Sequence, residues 1–545
     1  MTKRVLSVQG LSVQFQTDSE KVLVVDDISF DIFESETFGL VGESGSGKSV
    51  SALAILRLLP RSATMTGKHV FFKEQDLLTL PEMSMCQIRG RRIAMIFQDP
   101  MVALNPVKSI GHQIAEVIKI HFELSPSEIQ NRVLTLLRQV EIPTPESRID
   151  DYPHQFSGGQ LQRVMIAAAL AGEPDLLIAD EPTTALDVTI QAQILTLLKS
   201  IQRQIGMSLW LISHDLALVS SMVDRVAVMR KGRIVEVAET RQLFTYPEHA
   251  YTQKLLAALP SIDSCRAEAN LTRNILLELK NIRISYPVRK GFFNRIVSHH
   301  QAVDGVNLTL YAGQTLALVG ESGCGKTTLA KGLLNLIENV EGQIIWAGQN
   351  INGLQGESLR QMRSNIQIIF QDPFSSMNPR MLVGQIIGEG LRSLHPEISS
   401  QQRKVEVATL LQQVGLSVEC AMRYPHEFSG GQRQRICIAR ALAVRPKLII
   451  CDEPTSALDV SVQEKIILLL KSLQQQYGMS YLFITHDLAV VSEIADELAV
   501  MYEGKIVEYG PVYQLLNDPK RPYTQQLLKA VPKIIMDEPK KTKDC

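Results

Sequence analysis

The chain has 545 residues, more than a single hydrophobic core serves, so two or more domains are expected. Its 56 Lys and Arg stand against 57 Asp and Glu, which leaves out the strongly basic footprint of a nucleic-acid-binding protein. No apolar run reaches the roughly 18 to 20 residues that span a bilayer, Met1–Gln9 lacks the apolar core of a signal peptide, and the 7 cysteines form no C-x-x-C pair, which argues for reduced thiols.

The first predicted element is the alternating strand Leu11–Phe15. Phe15 at its end reads either as a core aromatic or as a platform for an adenine ring. The apolar run Phe38–Val41 follows. Next come Gly42-Glu43-Ser44-Gly45-Ser46-Gly47-Lys48-Ser49 and a helix-prone run, Val50–Leu59. Strand, tight glycine loop and helix make a phosphate cradle. Gly42, Ser44, Gly45 and Gly47 let the backbone approach phosphate oxygens, and the helix N-terminus adds a positive dipole end. Lys48 is placed to reach the β- and γ-phosphates, and the Ser49 hydroxyl to ligate Mg²⁺.

A strand over Ile93–Gln98 ends in Gln98, a residue able to ligate Mg²⁺ and orient an attacking water, or simply to bond the strand end. Residues 100–172 read as mostly helical, with Leu134, Leu137 and Val140 on one face. Ser157-Gly158-Gly159-Gln160 precedes the helix Leu161–Ala171, either as an ordinary cap or as a second anion site. The all-apolar run Leu176–Ala179 ends in Asp180 and Glu181, the pattern of a buried parallel strand. Asp180 is a candidate Mg²⁺ ligand and Glu181 a candidate general base. Adjacent strand residues point to opposite faces, so the backbone must turn at Glu181 to aim both into one site. Ala185-Leu186-Asp187 forms a loop. The strand Leu209–Ile212 leads to His214, placed to bond a γ-phosphate.

Everything then recurs in the same order. A strand ends in Tyr286. The second loop carries Gly320, Ser322, Gly323, Gly325, Lys326, Thr327 and Thr328. Gln371 precedes a helical region over 373–444. Ser429, Gly430, Gly431 and Gln432 open the helix Arg433–Val444. Asp452 and Glu453 end an apolar strand, and Tyr481–Ile484 leads to His486. A period of about 270 residues lies far beyond solenoid repeats and marks a duplicated domain. The expected division is 1–260, a linker over 261–275, 276–530, and a polar tail over 531–545. Cys324, inside the second loop, reads as a small filler residue. The basic and aromatic insertion over 289–300 reads as a solvated hairpin tip.

Phosphate loop, Gln, Ser-Gly-Gly-Gln, Asp-Glu and His in this order resemble the nucleotide-binding domains of ABC ATPases, twice over almost the whole chain. The resemblance implies an α/β fold: two P-loop NTPase domains, each with a RecA-like core, an antiparallel β subdomain and a helical subdomain, arranged head-to-tail. It implies hydrolysis of ATP with Mg²⁺ at two composite sites. One joins Lys48, Gln98, Glu181 and His214 to Ser429–Gln432. The other joins Lys326, Gln371, Glu453 and His486 to Ser157–Gln160. The segments Tyr246–Leu256 and Arg521–Leu528 resemble the P-Y-T-x-x-L-L tail of oligopeptide, dipeptide and nickel importer ATPases, with Ala250 where that tail usually has Pro. The fused form is similar to the Yej-type importers, linked in that family to microcin C-like peptides.

The resemblance further implies two integral-membrane permease subunits docked near the Gln98 and Gln371 loops, an indirect solute-binding protein, and a peripheral position on the cytoplasmic face of the inner membrane. No nucleic acid is expected. Relatives with an iron–sulfur centre carry a cysteine cluster after the tail. Only Cys265 and Cys545 fall there, so no cluster is expected. Leu161 replaces the basic residue found at Arg433. The rival readings fit less well. A soluble twin-ABC factor acting on ribosomes carries a long charged linker. A DNA-repair ATPase carries an inserted coiled coil. A non-hydrolysing nucleotide sensor has no need of Glu181 and Glu453.

Overall fold

The computed structural model describes residues 3–16, 20–184, 186–258, 274–290, 295–456 and 458–531. They fall into two compact units, one ending at Ala258 and the other at Val531. Each is built on a six-stranded sheet. In the first unit the strand order is Arg233–Glu239, Arg225–Arg230, Thr37–Val41, Ser208–Ser213, Leu176–Asp180, Ile93–Ile96. All neighbours run parallel except the first pair. Every residue of Thr37–Val41, Leu176–Asp180 and Ser208–Ser213 is buried, as expected of parallel strands covered on both faces. The second unit repeats the order with Lys505–Pro511, Glu497–Tyr502, Thr315–Val319, Ser480–Ile484, Leu448–Asp452 and Ile366–Ile369.

Register decides where function can sit. Val41 pairs with Ser213, Asp180 with Ile212, and Ile96 with Ala179. The strands therefore end level, and the residues just beyond them emerge along one rim, the carboxyl edge where ligands of open α/β sheets bind.

A second, antiparallel sheet centres on Arg4–Gln16, paired with Lys21–Phe33. Its Leu6, Leu11, Ile28 and Ile32 share one core with Phe38 and Trp210 of the main sheet. In the second unit the corresponding hairpin is longer, Ile275–Lys290 with Arg295–Tyr311, and Lys290 pairs with Arg295. The 289–300 insertion is thus an extension of this hairpin, with 291–294 outside the described residues. Ile275 already belongs to the strand, although it was expected in the linker. Cys265, Cys545 and the tail after Val531 lie outside the described residues.

Helices Ile110–His121, Pro126–Gln139 and Gly158–Leu170 form the helical part of the first unit; Val383–Leu394, Ser400–Gln413 and Gly430–Leu442 form that of the second. Two local expectations shift. The buried face of Pro126–Gln139 is Ile129, Val133, Leu136 and Leu137, with Leu134 turned half out; a spacing of 4, 3 and 1 follows the helical period more closely. The helix after the first loop runs Lys48–Ile55 and stops short of Leu59. Arg57 takes a φ of 53°, Leu58 N–H donates to the Leu53 carbonyl, and Arg57 N–H to that of Ala54, which closes the helix end.

Candidate active site

The loop Gly42–Ser49 leaves the buried strand Thr37–Val41 and enters a helix whose first residue is Lys48. Gly42 has no room for a side chain, because a Cβ there would sit 2.2 Å from the Met229 carbonyl oxygen. Gly47 takes a φ of 105° and lies against the Val24 carbonyl of the antiparallel hairpin. Ser44 and Gly45 face solvent; Lys48 is buried. Lys48 Nζ donates to the carbonyls of Gly42 at 2.7 Å and Glu43 at 3.0 Å. The second loop is the same: Lys326 Nζ donates to Gly320 at 2.6 Å and Glu321 at 2.9 Å, and Ser322 and Gly323 face solvent. Gly325 caps the helix in which Thr327 and Thr328 follow Lys326. Cys324 is buried and burial pushes its thiol up, so it fills space as expected.

At the next strand end, Ser49 Oγ donates to Asp180 Oδ1 at 2.9 Å, and Thr327 Oγ1 to Asp452 Oδ1 at 3.1 Å. Burial pushes Asp180 up to about 6, against the Ser49 hydrogen bond and with help from the neighbouring Glu181 charge. Asp452 is raised for the same first reason. The turn that the sequence demanded is present: Glu181 and Glu453 each take a φ of 47°, a region few non-glycine residues occupy. Glu181 N–H donates to the Ile212 carbonyl and Glu453 N–H to that of Ile484, which fixes the turn.

The turned carboxylate collects its neighbours. Glu181 Oε2 accepts from Gln98 Nε2 at 2.8 Å and from the Thr184 hydroxyl at 2.9 Å, and Oε1 lies 3.0 Å from His214 Nδ1. Burial raises the Glu181 carboxyl, but His214, Lys48 and Thr184 outweigh it and hold it below the ordinary range. In the second unit Glu453 accepts from Gln371 Nε2 at 3.0 Å and lies 3.4 Å from His486 Nδ1. Burial disfavours the His486 imidazolium, yet Glu453 outweighs it and raises the imidazole overall, while the Glu453 carboxyl is held below its ordinary range. Gln98 sits two residues beyond its strand, not on it, and that excursion lets it reach Glu181. Thr184 was missed by sequence reading. Its counterpart Ser456 instead donates to the Glu453 main-chain carbonyl at 3.2 Å.

Ser157 and Ser429 each cap a helix in a reciprocal box with Gln160 and Gln432. The two glutamines are therefore engaged in the cap. Ser157 and Gly158 stay exposed, while Gly159 and Gly431 are packing positions: a Cβ would meet Ile190 Cγ2 at 2.7 Å and Val462 Cγ1 at 2.4 Å. Arg433 Nε donates to the Pro425 carbonyl at 3.0 Å and its guanidinium lies 5.2 Å from the Phe374 ring centre, whereas Leu161 is buried. Phe15 is half-buried against the hairpin core; Tyr286 is exposed.

A phosphate cradle, a hydroxyl on a buried Asp and a turned Glu, all at the carboxyl edge of one parallel sheet, define a P-loop nucleoside triphosphatase, present here twice. Residues 25–184 and 303–456 match the ABC transporter family model, and the chain belongs to that family. Residues 235–283 and 507–543 match the model for the C-terminal region of oligopeptide/dipeptide transporters. The chain is 49% identical over 531 residues to the peptidoglycan transport ATP-binding protein YejF of Agrobacterium fabrum, covering 97% of this chain and 96% of that one. It is 45% identical to the glutathione import ATP-binding protein GsiA of Pectobacterium atrosepticum, covering 97% and 90%. A solved dimeric structure of the ATP-binding cassette MJ0796, bound to ADP and Pi, is 26% identical over 43% of this chain and 99% of that one, with a TM-score of 0.40.

Proposed function

We propose that this chain is the ATP-hydrolysing motor of a peptide importer, coupled to a separate membrane permease. The hydrolytic half rests on one observation: Lys, hydroxyl, Asp, turned Glu, Gln and His meet within each unit. The import half is supported by the oligopeptide/dipeptide C-terminal region and by relatives named for peptidoglycan transport and glutathione import. Glutathione is itself a tripeptide.

Lys48 and Lys326 bind the triphosphate with the loop N–H groups. Ser49, Asp180 and Gln98, and Thr327, Asp452 and Gln371, are the residues that would hold Mg²⁺; a set of hard oxygen donors around a carboxylate fits that ion. Mg²⁺ neutralises phosphate charge when bound. Glu181 and Glu453 stay ionised at neutral pH because His and Gln hold their oxygens, and each accepts a proton from the attacking water. His214 and His486 fix the orientation of the base and face the γ-phosphate. Phe15 and Tyr286 are assigned to the adenine ring.

No helix among the described residues is long and apolar enough to cross a membrane. The permease docks beside the Gln98 and Gln371 loops in this reading. There Phe97, Met101 and Val102 are exposed in the first unit, and a groove in the second is lined by Leu359, Arg360, Phe370 and Glu389. Isolation from membranes tests the account. The chain should co-purify with a permease pair, and the complex in vesicles should take up a labelled peptide only with ATP. Sedimentation with ribosomes, or uptake indifferent to ATP, would contradict it.

A further inference from the structure

The C-terminal helix of each unit stands apart from the charged cluster, yet one of its side chains reaches the phosphate loop. In the second unit the helix Pro522–Ala530 places Tyr523 at its start. The Tyr523 hydroxyl oxygen accepts the N–H of Glu321, second residue of the loop, at 3.0 Å. The same residue's carbonyl accepts Lys326 Nζ at 2.9 Å. Tyrosine, loop peptide and phosphate-binding lysine therefore form one chain of hydrogen bonds. The ring is braced by Tyr502, with centres 4.3 Å apart and planes tilted by 45°.

The first unit differs: its tyrosine stands near the same loop position, but the Tyr251 hydroxyl is buried with no hydrogen-bond partner among the described residues. Tyr251, in the helix Ala250–Ala257, is buried against Glu43, the counterpart of Glu321. Burial, then the Glu43 charge, pushes its hydroxyl up to about 12. The Arg230 guanidinium lies 4.6 Å from the ring centre, where Tyr502 stands in the second unit. Lys48 Nζ donates to the Glu43 carbonyl at 3.0 Å.

Both helices are fastened at their start by a carboxylate of the edge strand. Glu236, on the edge strand, accepts the N–H groups of Glu248 at 2.9 Å and His249 at 3.1 Å and the Thr252 hydroxyl at 2.5 Å. Glu508 accepts those of Lys520 at 2.8 Å and Arg521 at 3.3 Å. A carboxylate receiving several N–H donors at a helix start is a charge-assisted clamp. It fixes where the tyrosine lands.

We propose that Tyr523 is a positioning residue of the second nucleotide site: the C-terminal helix holds the second residue of the phosphate loop, and with it the carbonyl that seats the loop lysine. The inference rests on the reading of these loops as ATP sites. Tyr523 touches no reacting atom, so its loss changes how well the loop receives ATP and not the speed of the chemical step.

The test uses the full-length chain with Y523F, which keeps the ring and loses the hydroxyl, and with Y251F as the control, since the Tyr251 hydroxyl makes no hydrogen bond among the described residues. Losing a single hydrogen bond to a half-buried N–H should raise the KM for ATP in Y523F about three- to tenfold, with kcat within about twofold, and Y251F should stay near wild type. Calorimetric titration with ATP and Mg²⁺ should show the same loss of affinity. The nucleotide-free melting temperature should stay within about 2 °C, since one polar bond in a unit of this size moves it little. Y523A, which also removes the ring from Tyr502, should lower that temperature as well. An unchanged KM in Y523F overturns the proposal. So does a kcat that falls together with the melting temperature in Y523F. A wild-type chain that binds no ATP overturns the ATP-site reading along with it; wild-type binding with an unaffected Y523F overturns this inference alone.

Discussion

Asp180→Asn in the nucleotide-free chain should make the first unit more stable and inactive. Asp180 is buried, accepts the Ser49 hydroxyl and lies beside the Glu181 charge; burial first, then Glu181, lifts it from 3.8 to about 6. That shift of about two units corresponds to about 3 kcal/mol at the linkage value of about 1.4 kcal/mol per unit. The sign is that of an acid raised on folding. The folded state favours the protonated form, so the contribution is fully present below pH 4 and is lost as the pH rises through about 6. Asparagine keeps the shape and still accepts from Ser49, but it never charges. In the presence of a chelator, D180N should melt about 6–12 °C above wild type at pH 8 for a unit of this size, and close to wild type near pH 4. Trp210, buried in the first unit, reports the transition when Trp346, the other tryptophan, is replaced by Phe. ATP turnover at this site should be lost because the amide is a poor Mg²⁺ ligand. An equal melting temperature at both pH values, or a lower one at pH 8, would refute the burial argument.

Gly431→Ala should destabilise the second unit by about 1–3 kcal/mol, because the added carbon meets the stiff Val462 side chain 2.4 Å away. A wild-type melting curve would show that Gly431 serves only the exposed helix end. Arg433→Leu copies the residue that the first unit carries at Leu161. It should cost about 0.5–1.5 kcal/mol, the value of the bond to Pro425 plus the Phe374 contact. Urea unfolding measures it, and no change would mean that the guanidinium is held there without consequence.

The repeat, the parallel strands and most of the site were legible because each motif is local: a glycine loop, a cap, an apolar run ending in acid. Even the turn at Glu181 could be argued in advance, since Asp180 and Glu181 cannot otherwise face one site; the φ of 47° at both copies is that turn. What could not be read depends on partners distant in the chain. Nothing near Thr184 signals that its hydroxyl bonds Glu181 while Ser456 bonds a carbonyl, for both residues suit the same loop. Tyr523 lies 202 residues from Glu321 in sequence, so the P-Y-T tail could be recognised but not placed. Gln98 was expected on its strand; an exposed Phe97 marks where the chain has already left the sheet. Gly159 and Gly431 belong to a motif that reads as a cap or an anion site, and the packing of Ile190 and Val462 against them was invisible from it.

The central claim is that two turned carboxylates, Glu181 and Glu453, draw the proton from water in ATP hydrolysis. Its most direct measurement is ATP turnover by E181Q, E453Q and the double variant, with ATP binding measured on the same samples. Glutamine keeps the size of the side chain and removes the base. The account predicts that each single change cuts turnover strongly, that the double variant falls about 10²- to 10⁴-fold, and that ATP affinity is retained. Turnover at the wild-type rate in the double variant would contradict it.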